Sequence, residues 1–445
     1  MTEVHSASSF EAIVIGAGVI GSGVAFELSR RGLRTLSIDK LGGAGHGSTS
    51  SSSAVVRFNY STKAGVALAW EGMHYWRNWA DYLGNGTNDA GTLGPLAEYF
   101  RAGILLLKSE GTNEDAFLPL YEELGVPCED LDHDETIARW PWMDLSRFGP
   151  PTRLEDERFW ADPTEQLAGS FYCPDGGYIS DPMLAAQNLC DAAKRAGAQF
   201  WFNTEVTAIN SSQNRVTGVT LSDGRVVSAP VVVNVAGPYS FHVNQMAGVV
   251  EGMGVVPKPM RREVHVAPAP SNVDYDKDGV LFADLDAGTY TRPERGNLVL
   301  IGGVEPECDP LEWVEFPDDA STQVTDAEFE LMVLRAARRI TGMGVPPQKS
   351  GVVGVYDASP DWTPIYDRSD LDGFYMAIGS SGNQFKNAAS AGHCMAELIT
   401  AVEAGHDHDS DPLVVFGRFT GNPINLGTFS RKRVISDSSP ATVLG

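Results

Sequence analysis

Residues 12–39 limit the fold of this chain more than any other stretch. Ala12 to Ile15 is a short apolar run, GAGVIG follows from Gly16 to Gly21, an amphipathic segment runs from Val19 to about Arg31, and Gly32 ends it. A second apolar run, 34–38, finishes in Asp39. Strand, glycine turn, helix, strand and acid in this order open a dinucleotide-binding βαβ unit of the Rossmann type. Gly16 permits the tight turn, Gly18 lets the backbone approach a pyrophosphate, and Gly21 lets the helix lie close to the strand. The first amides of the helix, at Val19 and Ile20, and the positive end of its dipole serve the phosphates. Asp39, with Lys40 beside it, can accept hydrogen bonds from an adenosine ribose. In a chain with 47 glycines the bare motif carries little weight. Its position on a strand-to-helix turn gives it force. NAD and FAD are both open at this point.

After Asp39, beyond Lys40, comes LGGAGHGSTSSSSAVVR, four further glycines and a hydroxyl run from Ser48 to Ser53. A low-complexity linker is one reading. The other is an ordered loop, bounded by Ala54 to Arg57, whose small residues let the backbone pass close to a flat ring system. His46, Gly47, Ser48, Thr49 and Ser50 then join the candidate cofactor residues.

At 445 residues the chain has room for two domains or one domain with another inserted. Acidic residues outnumber basic ones 58 to 33, a formal charge of −25. That field repels phosphate backbones and anionic lipid, so neither nucleic acid nor a membrane is an expected partner. MTEVHSASSF has no basic cluster and no apolar run, and no stretch of about 18 apolar residues occurs, so a cytoplasmic location is expected. Five scattered cysteines without a CxxC suggest reduced, packed thiols, and no metal site is expected. GHDHDSD, with His406 and His408, reads as a solvated loop.

Residues 60–83 carry aromatics at helical spacing and suit packing better than a cofactor cage. Residues 126–176, rich in Pro, Trp and acid, read as a loop-rich excursion. Asp181-Pro182 starts a helix to about Ala196, Val206 lies in the strand that follows, and Asp223-Gly224 marks a hairpin turn. An all-apolar strand then ends in Ala236-Gly237, a return to the nucleotide-binding sheet. From 260 to 305 the pattern is strands and turns, a helix covers 326–339, and the chain closes with GVVGVYD, AIGSSGNQFKN and a polar tail from about Arg431.

GAGVIG with Asp39, the hydroxyl-rich loop ending in Arg57, NVAGPYS, YTRPERGNLVLIGG and SSGNQFK together resemble the FAD-dependent amine oxidoreductases of the D-amino acid oxidase superfamily. Sarcosine oxidase, its β subunit and dimethylglycine dehydrogenase are nearest in pattern. The resemblance implies an α/β fold: a Rossmann-like FAD-binding domain (1–95, 177–245 and 350–430) with a discontinuous α+β substrate domain built on an antiparallel sheet (96–176 and 246–349), and a tail, 431–445. It implies FAD, held noncovalently, and adds Gly379, Ser381, Gly382, Asn383, Gln384 and Phe385 to the cofactor site. It also implies an amino acid substrate, N-alkylated or otherwise, whose carboxylate lies between Arg57 and Lys386. Tyr356 is implied as an aromatic wall, with Tyr60 and His265 as weaker candidates; His265 alternates with apolar residues and equally suits a core.

This sequence departs from that pattern in three places. Gly354 stands where a flavin-linking cysteine is found in monomeric sarcosine oxidase, and His46 is the one histidine near enough in sequence to be a candidate for attachment. Val299 aligns with an oxygen-activating lysine, which favours a dehydrogenase or slow oxidase over a fast one; O2 and another carrier both stay open as acceptor. Asn383-Gln384 replaces a His-Gly. Rival readings are a flavin-carrying subunit active only in a larger assembly, with 126–176 as its partner surface, a D-amino acid or glycine oxidase-like deaminase, and an NAD-linked dehydrogenase.

Overall fold

The structure is a computed structural model that describes residues 9–84 and 94–435. Its first sheet has six strands in the order Ile365–Arg368, Phe374–Ile378, Val231–Asn234, Ala12–Ile15, Thr35–Ile38 and Gln199–Trp201. All neighbours are parallel except the first pair. Its four central strands are buried along their whole length, which is why they read as unbroken apolar runs. Helix Val19–Arg30 packs between helices Pro182–Arg195 and Ala388–Glu403. Two glycines bring helices Val19–Arg30 and Ala388–Glu403 close: a Cβ on Gly23 would lie 2.6 Å from the carbonyl oxygen of Ala388, and one on Gly392 would lie 2.7 Å from the Gly23 backbone. Asp181 caps the Pro182–Arg195 helix by accepting from Leu184 N at 2.9 Å.

The second sheet is nine-stranded and mostly antiparallel, built from 104–107, 129–132, 169–173, 258–268, 281–284, 289–294, 298–303, 312–313 and 351–358. Because side chains alternate along each strand, its two faces differ. Thr291, Val299, Ile301, His265 and Phe282 face helix Asp326–Arg339 and its core. Ala283, Tyr290, Gly302 and Tyr356 belong to the opposite face, toward the first sheet. A small three-stranded sheet, 206–228, has its predicted turn at Gly224 (φ 83°) and a second at Gln213-Asn214, both also at positive φ.

Several expectations need correction. Strand Gly351–Ala358, assigned by sequence to the nucleotide-binding half, pairs along its length with Lys258–Pro268, so we propose a domain boundary near residue 359. The 126–176 stretch is more ordered than a loop: it holds strands Glu129–Asp132 and Gly169–Cys173 and helix His133–Arg139, and it buries Trp142 and Phe159, though Trp160 is exposed. The GHDHDSD segment is not simply solvated, because His408 is buried beside Asp367 and its Nδ1 accepts from Leu413 N. Arg431 is no free tail residue; it is buried and paired with Asp367, Asp370 and Asp409. Residues 436–445 lie outside the described part. Among the described residues no helix is long and apolar enough to cross a membrane, and no group of three His, Cys, Asp or Glu could hold a metal ion. All five cysteines are free.

Candidate active site

Between the two sheets runs a cavity of about 510 Å³, lined at one end by Asp39 and at the other by Lys386. That volume is within the range of small-molecule and cofactor sites.

At the Asp39 end the glycine turn leaves no room for side chains. Gly16 has φ 110°, and a Cβ there would sit 2.3 Å from the carbonyl oxygen of Val235; one on Gly21 would sit 2.1 Å from the oxygen of Gly16. Gly18 opens toward the Thr49 hydroxyl, which accepts from Val19 N at 3.1 Å. Ile20, Lys40, Gly47 and Ser50 complete this part of the wall. Asp39 accepts from Ala17 N (2.7 Å) and Leu41 N (2.8 Å), which fixes its carboxylate beside the turn. Val206, Ala236 and Gly237 line the wall opposite. His46 also lines the cavity, but its ring lies over Gly42 and Gly43 next to Asn203, at the Asp39 end.

The hydroxyl run is ordered, not a linker. Ser48–Ser51 forms a single 3₁₀ turn whose serines bond the free edge of strand Gly351–Ala358: Ser48 Oγ donates to Val355 O (2.6 Å) and Ser51 Oγ to Val353 O (2.9 Å). Ser53 Oγ and Tyr290 OH are 2.5 Å apart. These bonds stitch the nucleotide loop to the antiparallel sheet.

At the far end Lys386 is 2% exposed. Its Nζ donates to Asn383 O at 2.6 Å and lies 4.9 Å from the centre of the Tyr60 ring. The Arg57 guanidinium lies 4.7 Å from the same ring and donates to Asn59 O at 2.5 Å. Burial pushes the Lys386 pKa well below the ordinary lysine value, and the Arg57 charge adds to the shift. Among the described residues, no carboxylate is within ion-pair distance of Lys386. Tyr356 lies on the wall with its ring across Gly382, where a Cβ would come within 2.3 Å. Burial raises its pKa, so the ring stays neutral.

Asn383, Gln384 and Phe385 line this end as well. The amide pair forms a closed network: Asn383 Nδ2 donates to Trp362 O (3.1 Å), Gln384 Nε2 to Asn383 Oδ1 (2.5 Å), and Gln384 Oε1 accepts from Tyr366 OH (3.0 Å). The helix from residue 63 supports the corner from behind, with Trp76 Nε1 donating to Lys386 O at 2.7 Å.

Four expected residues fall outside the cavity wall. Tyr60 sits behind it, donating to Asn383 O at 2.9 Å. Gly379 and Ser381 shape the corner without reaching the cavity; Gly379 N donates to Asp357 Oδ2 (2.6 Å) and Ser381 Oγ bonds the Ser359 turn. His265 is on the wrong face of the antiparallel sheet, fully buried against Phe329. Burial, with Arg261 and Arg262 adding to it, lowers its pKa to about 4. Val299 shares that far face, so the absence of a lysine there says nothing about oxygen. Sequence reasoning also missed Asp357, Tyr290 and Asp318, all on the wall. Period-two alternation through 281–303 was the available signal for Tyr290; Asp357 and Asp318 had none.

The Cβ-free cradle, the helix start, the fixed acid and the long slot fit an adenine dinucleotide carrying a flat ring at its far end. The sequence matches the family described as FAD dependent oxidoreductase (DAO) over residues 11–398. The chain belongs to the DAO family of FAD-dependent oxidoreductases. This family member is an enzyme, and FAD is its cofactor. It is 27% identical over 313 residues to mitochondrial sarcosine dehydrogenase of Homo sapiens, an alignment covering 68% of this chain and 31% of that protein. It therefore spans under a third of that relative's length. With sarcosine oxidase subunit beta of Rhodobacter capsulatus it shares 24% identity over 88% of this chain and 84% of the other. L-proline dehydrogenase from P. horikoshii has the same fold, with a TM-score of 0.71 at 20% identity over 89% of this chain and 94% of that one.

Proposed function

We propose that this DAO family oxidoreductase oxidises the C–N bond of an amino acid, most simply an N-alkylated one, and holds its carboxylate between Arg57 and Lys386. One observation carries this reading: the buried Arg57 and Lys386 side chains lie 4.7 and 4.9 Å from the centre of the same Tyr60 ring at the Lys386 end of the cofactor cavity. Burial and the Arg57 charge both disfavour the Lys386 ammonium in the free site, and a substrate carboxylate beside it would offset that. The sarcosine-named relatives support the N-alkyl class. FAD, held by the glycine turn and Asp39, would supply the two-electron acceptor for oxidation of the carbon next to nitrogen, and water would hydrolyse the imine product. The chain's own part is orientation: the clamp fixes the carboxylate end, Tyr356 and Tyr290 wall the pocket, and the substrate is held with little freedom. The test is anaerobic bleaching of the yellow protein with a panel of N-methyl, D- and L-amino acids. Bleaching by N-methyl amino acids supports the reading; no bleaching by any compound with a carboxylate removes it.

We propose that the FAD is noncovalent. Gly354 carries no sulfur, and His46 sits at the Asp39 end of the slot, away from the substrate clamp. Acid precipitation is expected to release all colour to the supernatant. Colour retained in the pellet overturns this.

Proton uptake is a further expected result. In the free site Lys386 loses its proton at a pH well below the usual value of about 10.4, because of burial first and Arg57 second. An anion beside it raises that pKa again. Over the window between the two values, binding of acetate draws in a proton, and affinity falls as pH rises. An amino acid arriving as a zwitterion must give up its ammonium proton, and the clamp can gain one in the same event. In the same sense, the unfolded chain keeps the lysine proton where the folded one has lost it, so stability of the unliganded protein rises with pH across that range. Calorimetry of acetate binding in two buffers of different ionisation heat checks this. Identical heats in both would exclude it.

A further inference from the structure

The roof over the Asp39 end of the cavity comes from the other side of the molecule. Residues 314–320 leave strand Glu312–Trp313 at the edge of the antiparallel sheet and cross to the nucleotide-binding half. Pro317 and Asp318 line the cavity, as do Lys40, Tyr239 and His242 beneath them. Three contacts fasten the crossing. Lys40 Nζ is 3.0 Å from Asp318 Oδ2. Tyr239 OH donates to Asp318 Oδ1. The Phe316 ring stacks on His242 at 4.8 Å and 7°.

Lys40 also lies 3.7 Å from the Tyr239 ring centre, so the two partners of Asp318 brace each other. The Tyr239 hydroxyl and the Lys40 ammonium hold the Asp318 pKa below its ordinary value, so the carboxylate stays ionised at neutral pH. Yet the fastening is shallow: the Asp318 side chain is 73% exposed, and Phe316 is 48% exposed. An exposed ion pair of this kind is weak and screened by salt. A contact that roofs a deep slot, bridges two sheets and can be undone cheaply has the properties of a latch.

We propose that the 314–320 loop is a latch over the adenosine end of the FAD site, with Asp318 as its catch, and that it must open for FAD to enter or leave. A latch differs from an ordinary binding contact in its kinetics. Loss of a binding contact speeds release alone; loss of a latch speeds release and uptake together, because both pass the same opening.

The experiment uses the full-length holoenzyme and reads flavin fluorescence, independent of turnover. Release is followed as the change in flavin fluorescence after large dilution of the holoenzyme, and uptake by quenching when apoenzyme is mixed with FAD. Asp318→Asn is expected to speed both rates, each by about two- to fivefold, in line with losing one exposed ion pair while the amide oxygen can still accept from Tyr239 OH. Phe316→Ala leaves every charge in place and is expected to move both rates in the same direction. Raising NaCl from 0.05 to 0.5 M, conditions chosen as roughly a threefold change in screening length, should speed wild-type exchange and leave Asp318→Asn nearly unaffected. Asp319→Asn, one residue along and without a partner on the nucleotide half among the described contacts, is the control for loop chemistry. Faster release with unchanged uptake in both variants would make Asp318 and Phe316 ordinary binding residues and overturn the latch. Unchanged rates in both would overturn it equally.

Discussion

Lys386→Met weakens a carboxylate-bearing substrate by roughly 10- to 150-fold in KM, with the flavin still bound and its spectrum intact. The range is the loss of one charge-assisted hydrogen bond, about 1.5 to 3 kcal/mol. Methionine keeps most of the side chain's volume, so the packing behind the corner survives. Removing an amine whose charged form is disfavoured by burial and by Arg57 relieves that cost, and stability is expected to hold or rise. Loss of affinity therefore cannot be ascribed to unfolding. A methyl ester of the same substrate has no anion for the clamp and should be nearly indifferent to the change. If wild type and variant bind the free acid equally, Lys386 has no part in recognition.

Gly16→Ala yields a colourless protein. Two separate penalties fall on that residue. Its φ of 110° is disfavoured for any residue with a Cβ, and the added carbon would press to 2.3 Å from the Val235 carbonyl oxygen. The strand ends at 12–15 and 231–234 would have to part, just where the pyrophosphate must approach. Gly32→Ala separates the two penalties. Gly32 has φ 91° with no atom within 4 Å of the new carbon, so only the backbone cost, about 1 to 2 kcal/mol, is felt. That variant should keep its FAD. Flavin-to-protein ratio after gel filtration measures both, and a yellow Gly16→Ala would remove the turn from the cofactor site.

The nucleotide-binding half was readable because its signals are local. Strand, turn and helix between Ala12 and Asp39 are contiguous, and the apolar runs at 231–234 and 374–378 are buried on both faces and need no partner to be recognised. Helix 326–339 was legible for the same reason, through its period. The substrate end was harder. Whether a residue on a strand faces the cavity depends on register, and a shift of one position reverses it. His265 and Val299 were candidates by alignment, yet pairing with Ile301 and with Ala267 turns both toward helix Asp326–Arg339. Tyr290, paired with Gly302 and Ala283, faces the cavity instead. Asp318 was invisible because nothing local marks a loop that crosses between sheets. Arg431 and His408 were read as solvated for a similar reason: the acids that bury them, Asp367 and Asp370, lie some forty to sixty residues away in sequence.

The close crossing of Gly23 and Gly392 sets an order of events during synthesis. The first helix of the chain is covered by nearly its last, and the central sheet lacks two of its six strands until residue 378 has been made. For most of translation the opening βαβ unit thus stands with an apolar flank uncovered. Its closure rests on contacts separated by more than 350 positions, the kind that form slowly and leave a nascent chain in need of shelter. FAD meets a finished cradle only when that late helix has docked.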